Sequence, residues 1–161
     1  MSTRANIIIK DSEDRLFFYR HSDGYPEGVM PTLNIFMSWL KSGKIRNNAN
    51  QSAGWLIMLG AIEYNTIPHF AVDEDIWYKG TDMERIKHIP DLNTVVLKSD
   101  KKEYGMEWKV GAYEPTTSIH GDIEYLYIID VEKKTLKCYD SWTEAGEGKH
   151  SVSLAKFKPK K

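Results

Sequence analysis

Ala5-Asn6-Ile7-Ile8-Ile9, then Asp11-Ser12-Glu13-Asp14, then Leu16-Phe17-Phe18-Tyr19 reads as a β-rich run, a polar turn cluster and a second β-rich run. Branched and aromatic residues suit a pleated, half-buried surface, while Asp and Ser favour turns by hydrogen-bonding their own backbone. The chain is therefore expected to open on a β-hairpin. Everything downstream has to pack against that hairpin or extend its sheet.

Beyond residue 20 the period changes. Pro31 suits the first turn of a helix, and Leu33, Phe36, Met37 and Leu40 recur at helical spacing until Gly43 stops the pattern. Asn50 reads as the N-cap of a second helix, whose Ala53, Leu56, Ile57, Gly60, Ala61 and Tyr64 form one face. The short polar connection Ser42–Asn48 predicts an antiparallel helical pair laid on one face of the sheet. Gly60 costs about 1 kcal/mol of helix propensity relative to Ala, so either a close approach compensates there or the helix ends early.

Residues 65–92 are broken by Pro68 and Pro90, with a short strand expected near Trp77 and a short helix near Met83–Lys87. From Thr94 onward the pattern returns to β: Val95–Leu97, Met106–Tyr113, Ile119–Val131, Thr135–Trp142 and His150–Phe157, read as an antiparallel meander. Ile123, Tyr125, Tyr127, Ile129 and Val131 line one face while Leu126 and Ile128 keep the other apolar, the mark of a central strand covered on both sides. The expected fold is α+β: an antiparallel sheet with an N-terminal hairpin and a helical pair on one face. One domain is expected over residues 1–157, followed by a basic tail at 158–161.

The 161 residues carry 22 Lys and Arg against 23 Asp and Glu, a formal charge of −1, so no global field draws the chain to nucleic acid. The single cysteine, Cys138, cannot close an internal disulfide and suits a reducing compartment. No apolar run approaches the roughly 20 residues of a membrane span, and the start lacks a signal-peptide pattern. A cytoplasmic protein without membrane contact is expected. Trp55, Trp77, Trp108 and Trp142 fit core positions better than a base-stacking surface.

One segment is dense in functional groups. Tyr19-Arg20-His21-Ser22-Asp23-Gly24-Tyr25-Pro26-Glu27-Gly28 places a cation, an imidazole, two carboxylates and two phenols at the end of a strand. Loops leaving a rigid sheet are favoured sites for binding groups, and Arg20 offers a fixed fork of donors for phosphate or carboxylate. The hairpin register brings Arg4 to the same sheet end, where the two arginines repel unless they share an anion, either a carboxylate such as Asp23 or Glu27 or a bound phosphate. The candidate ligand-binding set is Arg4, Tyr19, Arg20, His21, Asp23, Gly24, Tyr25 and Glu27. An equally physical reading makes the segment a strand-to-helix corner, with Asp23-Gly24 as turn and Tyr25-Pro26 as an extended exit.

Other chemistries are weaker. Exposure of Ser2 after removal of Met1 would give an N-terminal nucleophile, but no oxyanion-hole partner is recognisable. His120-Gly121-Asp122 repeats the His-x-Asp spacing of His21-Ser22-Asp23, which allows a shared metal in principle, though paired cysteines, a helical His-Glu-x-x-His and a calcium loop are all missing. Walker, dinucleotide and Gly-x-Ser-x-Gly motifs are missing too. No metal, cofactor or catalytic residue is assigned.

With those residues in place, Ser2-Thr3-Arg4-Ala5-Asn6-Ile7 followed by Tyr19-Arg20-His21-Ser22-Asp23-Gly24-Tyr25-Pro26-Glu27 resembles a widespread group of small phage and prophage proteins of unassigned function. Gly121-Asp122-Ile123-Glu124-Tyr125-Leu126-Tyr127 resembles the later β segment of that group, while Ser22 replaces the aromatic residue usual between the His and Asp. The resemblance implies expression inside a bacterial host and brings no reaction with it. By analogy, small phage proteins without enzyme motifs counter host defences. Three readings follow: a noncatalytic protein that sequesters a small anionic nucleotide-type signal, with a homo-oligomer completing the pocket; an inhibitor covering a host protein through the acidic 73–75 excursion; and a small hydrolase or phosphodiesterase using His21 and Asp23.

Overall fold

The computed structural model describes residues 3–65, 111–141 and 150–157. The opening hairpin consists of β1 (Ala5–Lys10) and β2 (Arg15–Arg20), paired antiparallel from Ala5 opposite Arg20 to Lys10 opposite Arg15. Its turn is held by the Asp11 side chain, whose Oδ1 accepts from the backbone N–H of Glu13 and of Asp14, both at 2.8 Å. A short acidic side chain closing its own turn is the mechanism expected from the 11–14 cluster.

Helix α1 (Pro26–Lys41) begins five residues before the expected Pro31, because Pro26 already supplies a helix start that needs no N–H. Tyr25 precedes it with extended backbone, and its carbonyl accepts from the N–H groups of Gly28 and Val29. Pro31 lies inside the helix. Helix α2 (Ala49–Asn65) also starts early: Asn48 rather than Asn50 caps it, Oδ1 accepting from the Gln51 N–H at 3.0 Å. Asp11 Oδ2 accepts from the Ala49 N–H at 2.8 Å, which ties the hairpin turn to the start of α2. The helix runs past Gly60, where an added Cβ would stand 2.6 Å from Tyr113 Cδ2. Close approach, and not an early end, explains that glycine.

The remaining strands are β3 (Glu114–Thr116), β4 (Tyr125–Asp130), β5 (Thr135–Ser141) and β6 (His150–Val152), and a 3-10 turn follows at Ala155–Phe157. The sheet order is β3-β2-β1-β4-β5-β6. The sheet is mixed. All described pairings are antiparallel except β1 with β4, which run parallel from Ala5 opposite Tyr125 to Lys10 opposite Asp130. The α+β expectation holds, with that parallel pair as the departure from a pure meander. Tyr113 precedes β3 instead of ending a strand, and Ile123 lies before β4. The Trp77 strand, the Met83–Lys87 helix, the Val95–Leu97 strand, Trp142 and the 158–161 tail lie outside the described residues.

Alternation along β1 separates two apolar layers. Ile7 and Ile9 join Phe18, Tyr127 and Ile129 beneath both helices, packed against Val29, Leu33, Phe36, Leu56 and Leu59. Ile8 faces the other way with Tyr19, Ile123, Leu126 and Ile128. Both helices therefore serve one face of the sheet. Ile123 sits with Leu126 and Ile128, since the strand alternation predicted from residue 119 begins only at Tyr125.

Candidate functional site

The β1–β2 end of the sheet carries most of the residues marked by the sequence, and strand alternation sorts them onto opposite faces. Arg20 stands opposite Ala5, on the helix side, whereas Tyr19 and Asn6 form the adjacent pair on the other side. Arg4 precedes Ala5 and so belongs with the face opposite α1 and α2. The described ion pairs of the two arginines go to different carboxylates, Arg20 to Glu63 and Arg4 to Asp122.

Arg20 is only 2% exposed, and its guanidinium is held on three sides. Nε donates to the Ser22 carbonyl at 2.7 Å, one terminal nitrogen donates to the Tyr113 hydroxyl at 3.1 Å, and the other meets Glu63 Oε2 at 2.7 Å. Glu63 Oε1 in turn accepts from the Thr32 hydroxyl at 2.7 Å. Burial pushes the Tyr113 hydroxyl up to about 12, with the Arg20 charge opposing and Glu63 adding to that rise. Strand β2, both helices and the segment before β3 are thus joined through one buried ion pair. Arg20 is an internal clamp, unavailable to an incoming anion.

The loop after β2 is built against the start of β1. The Gly24 N–H donates to the Thr3 carbonyl at 2.9 Å, and the buried Tyr127 hydroxyl donates to the Gly24 carbonyl at 2.7 Å. A Cβ at Gly24 would come within 2.7 Å of Ala5 Cβ and 2.9 Å of Thr3 O, so only glycine fits. Asp23 adopts a positive φ of 55° and accepts from the Tyr25 hydroxyl at 3.2 Å. Glu27 is exposed in the first turn of α1, and Tyr25 is exposed beside the loop. Asp23 therefore partners Tyr25 and not His21.

On the face opposite α1 and α2 the two His-x-Asp segments do approach each other, through Tyr19. The Tyr19 hydroxyl and His21 Nδ1 share a 3.0 Å hydrogen bond, whose direction follows the imidazole tautomer. The Tyr19 ring stacks on His120, with centroids 4.0 Å apart and planes 12° from parallel. His120 is anchored by its backbone N–H to Asn6 Oδ1 at 2.8 Å, and its Nε2 lies 3.2 Å from the Thr116 hydroxyl. Arg4 closes the group: its Nε is 3.4 Å from Asp122 Oδ2 yet buried without a hydrogen bond, although 37% of the side chain is exposed. Burial is the main cause that raises the Tyr19 pKa; Asp122 adds to the rise and Arg4 opposes it.

The arrangement that results is an aromatic and imidazole stack with a partly exposed arginine side chain at its edge. Tyr19, His21 and Arg4 were legible as candidates. His120 and Asp122 stood out in the sequence only through their His-x-Asp spacing, and Thr116 carried no signal of a shared site. Among the described residues no three His, Cys, Asp or Glu side chains gather as a metal-ligand set. Ser2 and the acidic 73–75 excursion lie outside the described residues. Among those that are described, no helix is long and apolar enough to cross a membrane. Compared with models of known protein families, with curated protein sequences and with solved structures, the chain matches none.

Proposed function

We propose that the protein is a noncatalytic binding protein that takes a small anionic, nucleotide-type ligand at the sheet end framed by Arg4, Tyr19, His21 and His120, on the face opposite α1 and α2. The observation that carries this reading is the Arg4 side chain: partly exposed, with Nε buried and lacking a hydrogen bond, and set at the edge of a Tyr–His stack. A guanidinium suits a phosphate or carboxylate by its planar fork, and the partly exposed His120 ring, backed by the buried Tyr19, offers a flat neighbour for a ring. An origin in a phage, action inside a bacterial host and sequestration of a host immune signal belong to the same proposal and rest on the resemblance of residues 2–7 and 19–27. Oligomerisation would add walls to the site.

A thermal-shift screen against cyclic and ADP-ribose-type nucleotides tests it, because a ligand that binds only the folded chain raises its melting temperature. The raised melting temperature is expected to vanish in Arg4→Ala. A shift that survives in that variant places the ligand elsewhere. One observation favours a second reading, a hydrolase: the Tyr19–His21 hydrogen bond presents an imidazole already oriented by a phenol. Consumption of any nucleotide in the same screen would select that reading.

A further inference from the structure

The far end of the same sheet face holds a second arrangement of charge. Lys10 on β1, Ile128 on β4 and Lys137 on β5 line a depression of about 70 Å3, with Tyr139 along one wall and Thr135 and Lys133 at the rim. Strand register explains why they meet: Lys10 stands opposite Asp130, which stands opposite Thr135, and Ile128 stands opposite Lys137 in the next row. Asp130 also lines the depression, but its Oδ1 accepts from the backbone N–H groups of Glu132 and Lys133 at 3.1 and 3.0 Å. Lys134, at a φ of 56°, completes that turn and returns the chain into β5.

None of the three ammonium groups has an ion-pair partner among the described residues. Three lysines against one carboxylate leave a net positive rim around a floor made by an almost buried isoleucine. Lys10 and Lys137 flank β4 from the strands on either side of it, with Lys133 in the turn that follows β4, and like charges gathered around one depression oppose one another unless a counter-charge enters. The available space is far below the roughly 300–1,000 Å3 of pockets that enclose whole organic ligands, so it suits a single tetrahedral oxyanion with anything attached left outside.

We propose that this depression is a phosphate site, separate from the Arg4 end of the sheet and about 20 Å from it along β1. Lys10, Lys133 and Lys137 neutralise the anion, and the hydroxyls of Thr135 and Tyr139 are the uncharged donors beside it. The phosphate is either free or the terminal group of a larger molecule, and the same contacts serve both. This site stands whether or not the Arg4 end binds a ligand.

Inorganic phosphate titrated at low ionic strength into the full chain carrying 13C at the lysine ε position tests the proposal, read lysine by lysine in carbon–proton correlation spectra. The resonances of Lys10, Lys133 and Lys137 are expected to move together along one saturating curve. Lys137→Gln, at an exposed position, should raise the midpoint about tenfold, which corresponds to one charge-assisted hydrogen bond. Arg4→Ala should leave the midpoint within about twofold, since distant sites act independently. A parallel titration with adenosine monophosphate separates the two sources: a lower midpoint than inorganic phosphate identifies a larger molecule, and an equal or higher one identifies the free anion. Unsaturable drift of all lysines alike, or a midpoint that responds to Arg4→Ala as strongly as to Lys137→Gln, overturns the proposal.

Discussion

Arg20 and Arg4 reach the same end of the same hairpin, yet one is sealed inside and the other borders solvent. On the helix side, Arg20 has a carboxylate, a phenol and a carbonyl around it, and Glu63 is itself bonded to Thr32. On the opposite side, Arg4 lies beside Tyr19 and Asp122, with its Nε 3.4 Å from the carboxylate and buried without a hydrogen bond. The comparison teaches that residue type does not assign a cation to binding or to structure. One step of strand alternation does, by choosing the face on which the side chain falls.

The strongest way to break this contrast is Arg20→Ala. Removing one partner of a buried ion pair strands the other, so unfolding by denaturant should show a loss of about 3–5 kcal/mol. The double change Arg20→Met with Glu63→Gln should recover more than half of it, because no lone charge is left inside. A single-variant loss below about 1 kcal/mol would show that Arg20 is solvated, and the assignment of the clamp would fall.

Gly24→Ala sharpens the comparison at the loop that separates the two arginines. Its methyl has to displace Ala5 or the Thr3 carbonyl, which predicts a cost of about 1–3 kcal/mol by the same denaturation measurement. A neutral result would mean that the loop is not seated on β1. Arg4→Ala is the counterpart of Arg20→Ala and should change stability by no more than about 0.5 kcal/mol, as expected for a surface position, while removing any nucleotide-induced rise in melting temperature. If it destabilises the chain as much as Arg20→Ala does, the distinction between clamp and rim is lost.

The hairpin turn gives the smallest effect and a pH dependence. Asp11 accepts backbone hydrogen bonds from Ala49, Asp14 and Glu13, and these hold its carboxyl below the ordinary range, the Ala49 contact most strongly. A carboxylate whose folded pKa lies below its unfolded one adds stability that is fully present above the unfolded value and fades as pH falls through the folded value. The chain should therefore lose stability on acidification below the usual carboxylate range. Asp11→Asn should flatten that part of the stability profile, and an unchanged profile would assign the acid sensitivity to other carboxylates.

Much of the architecture was legible because it is local. Branched residues in Ala5–Ile9, the self-bonding turn at 11–14 and the helical spacing of Leu33, Phe36, Met37 and Leu40 each act over a few residues. Helix starts slipped because several capping residues compete within one stretch. Pro26 won over Pro31, and Asn48 over Asn50, once the loop was fixed against β1 and Asp11 reached the first turn of α2. In the dense 19–28 segment His21 and Asp23 go to different phenols, which their spacing alone does not reveal.

By itself the sequence determined the α+β composition, the hairpin, the helical pair and the single sheet end where polar groups concentrate, since hydrophobic period and turn chemistry are properties of neighbouring residues. Only the tertiary structure decided that β4 lies parallel to β1, that Glu63 and Tyr113 enclose Arg20, and that His120 stacks on Tyr19. Those contacts join residues about 40 to 120 positions apart. Their energy depends on which face each strand presents once the sheet is assembled, a quantity that no local pattern encodes.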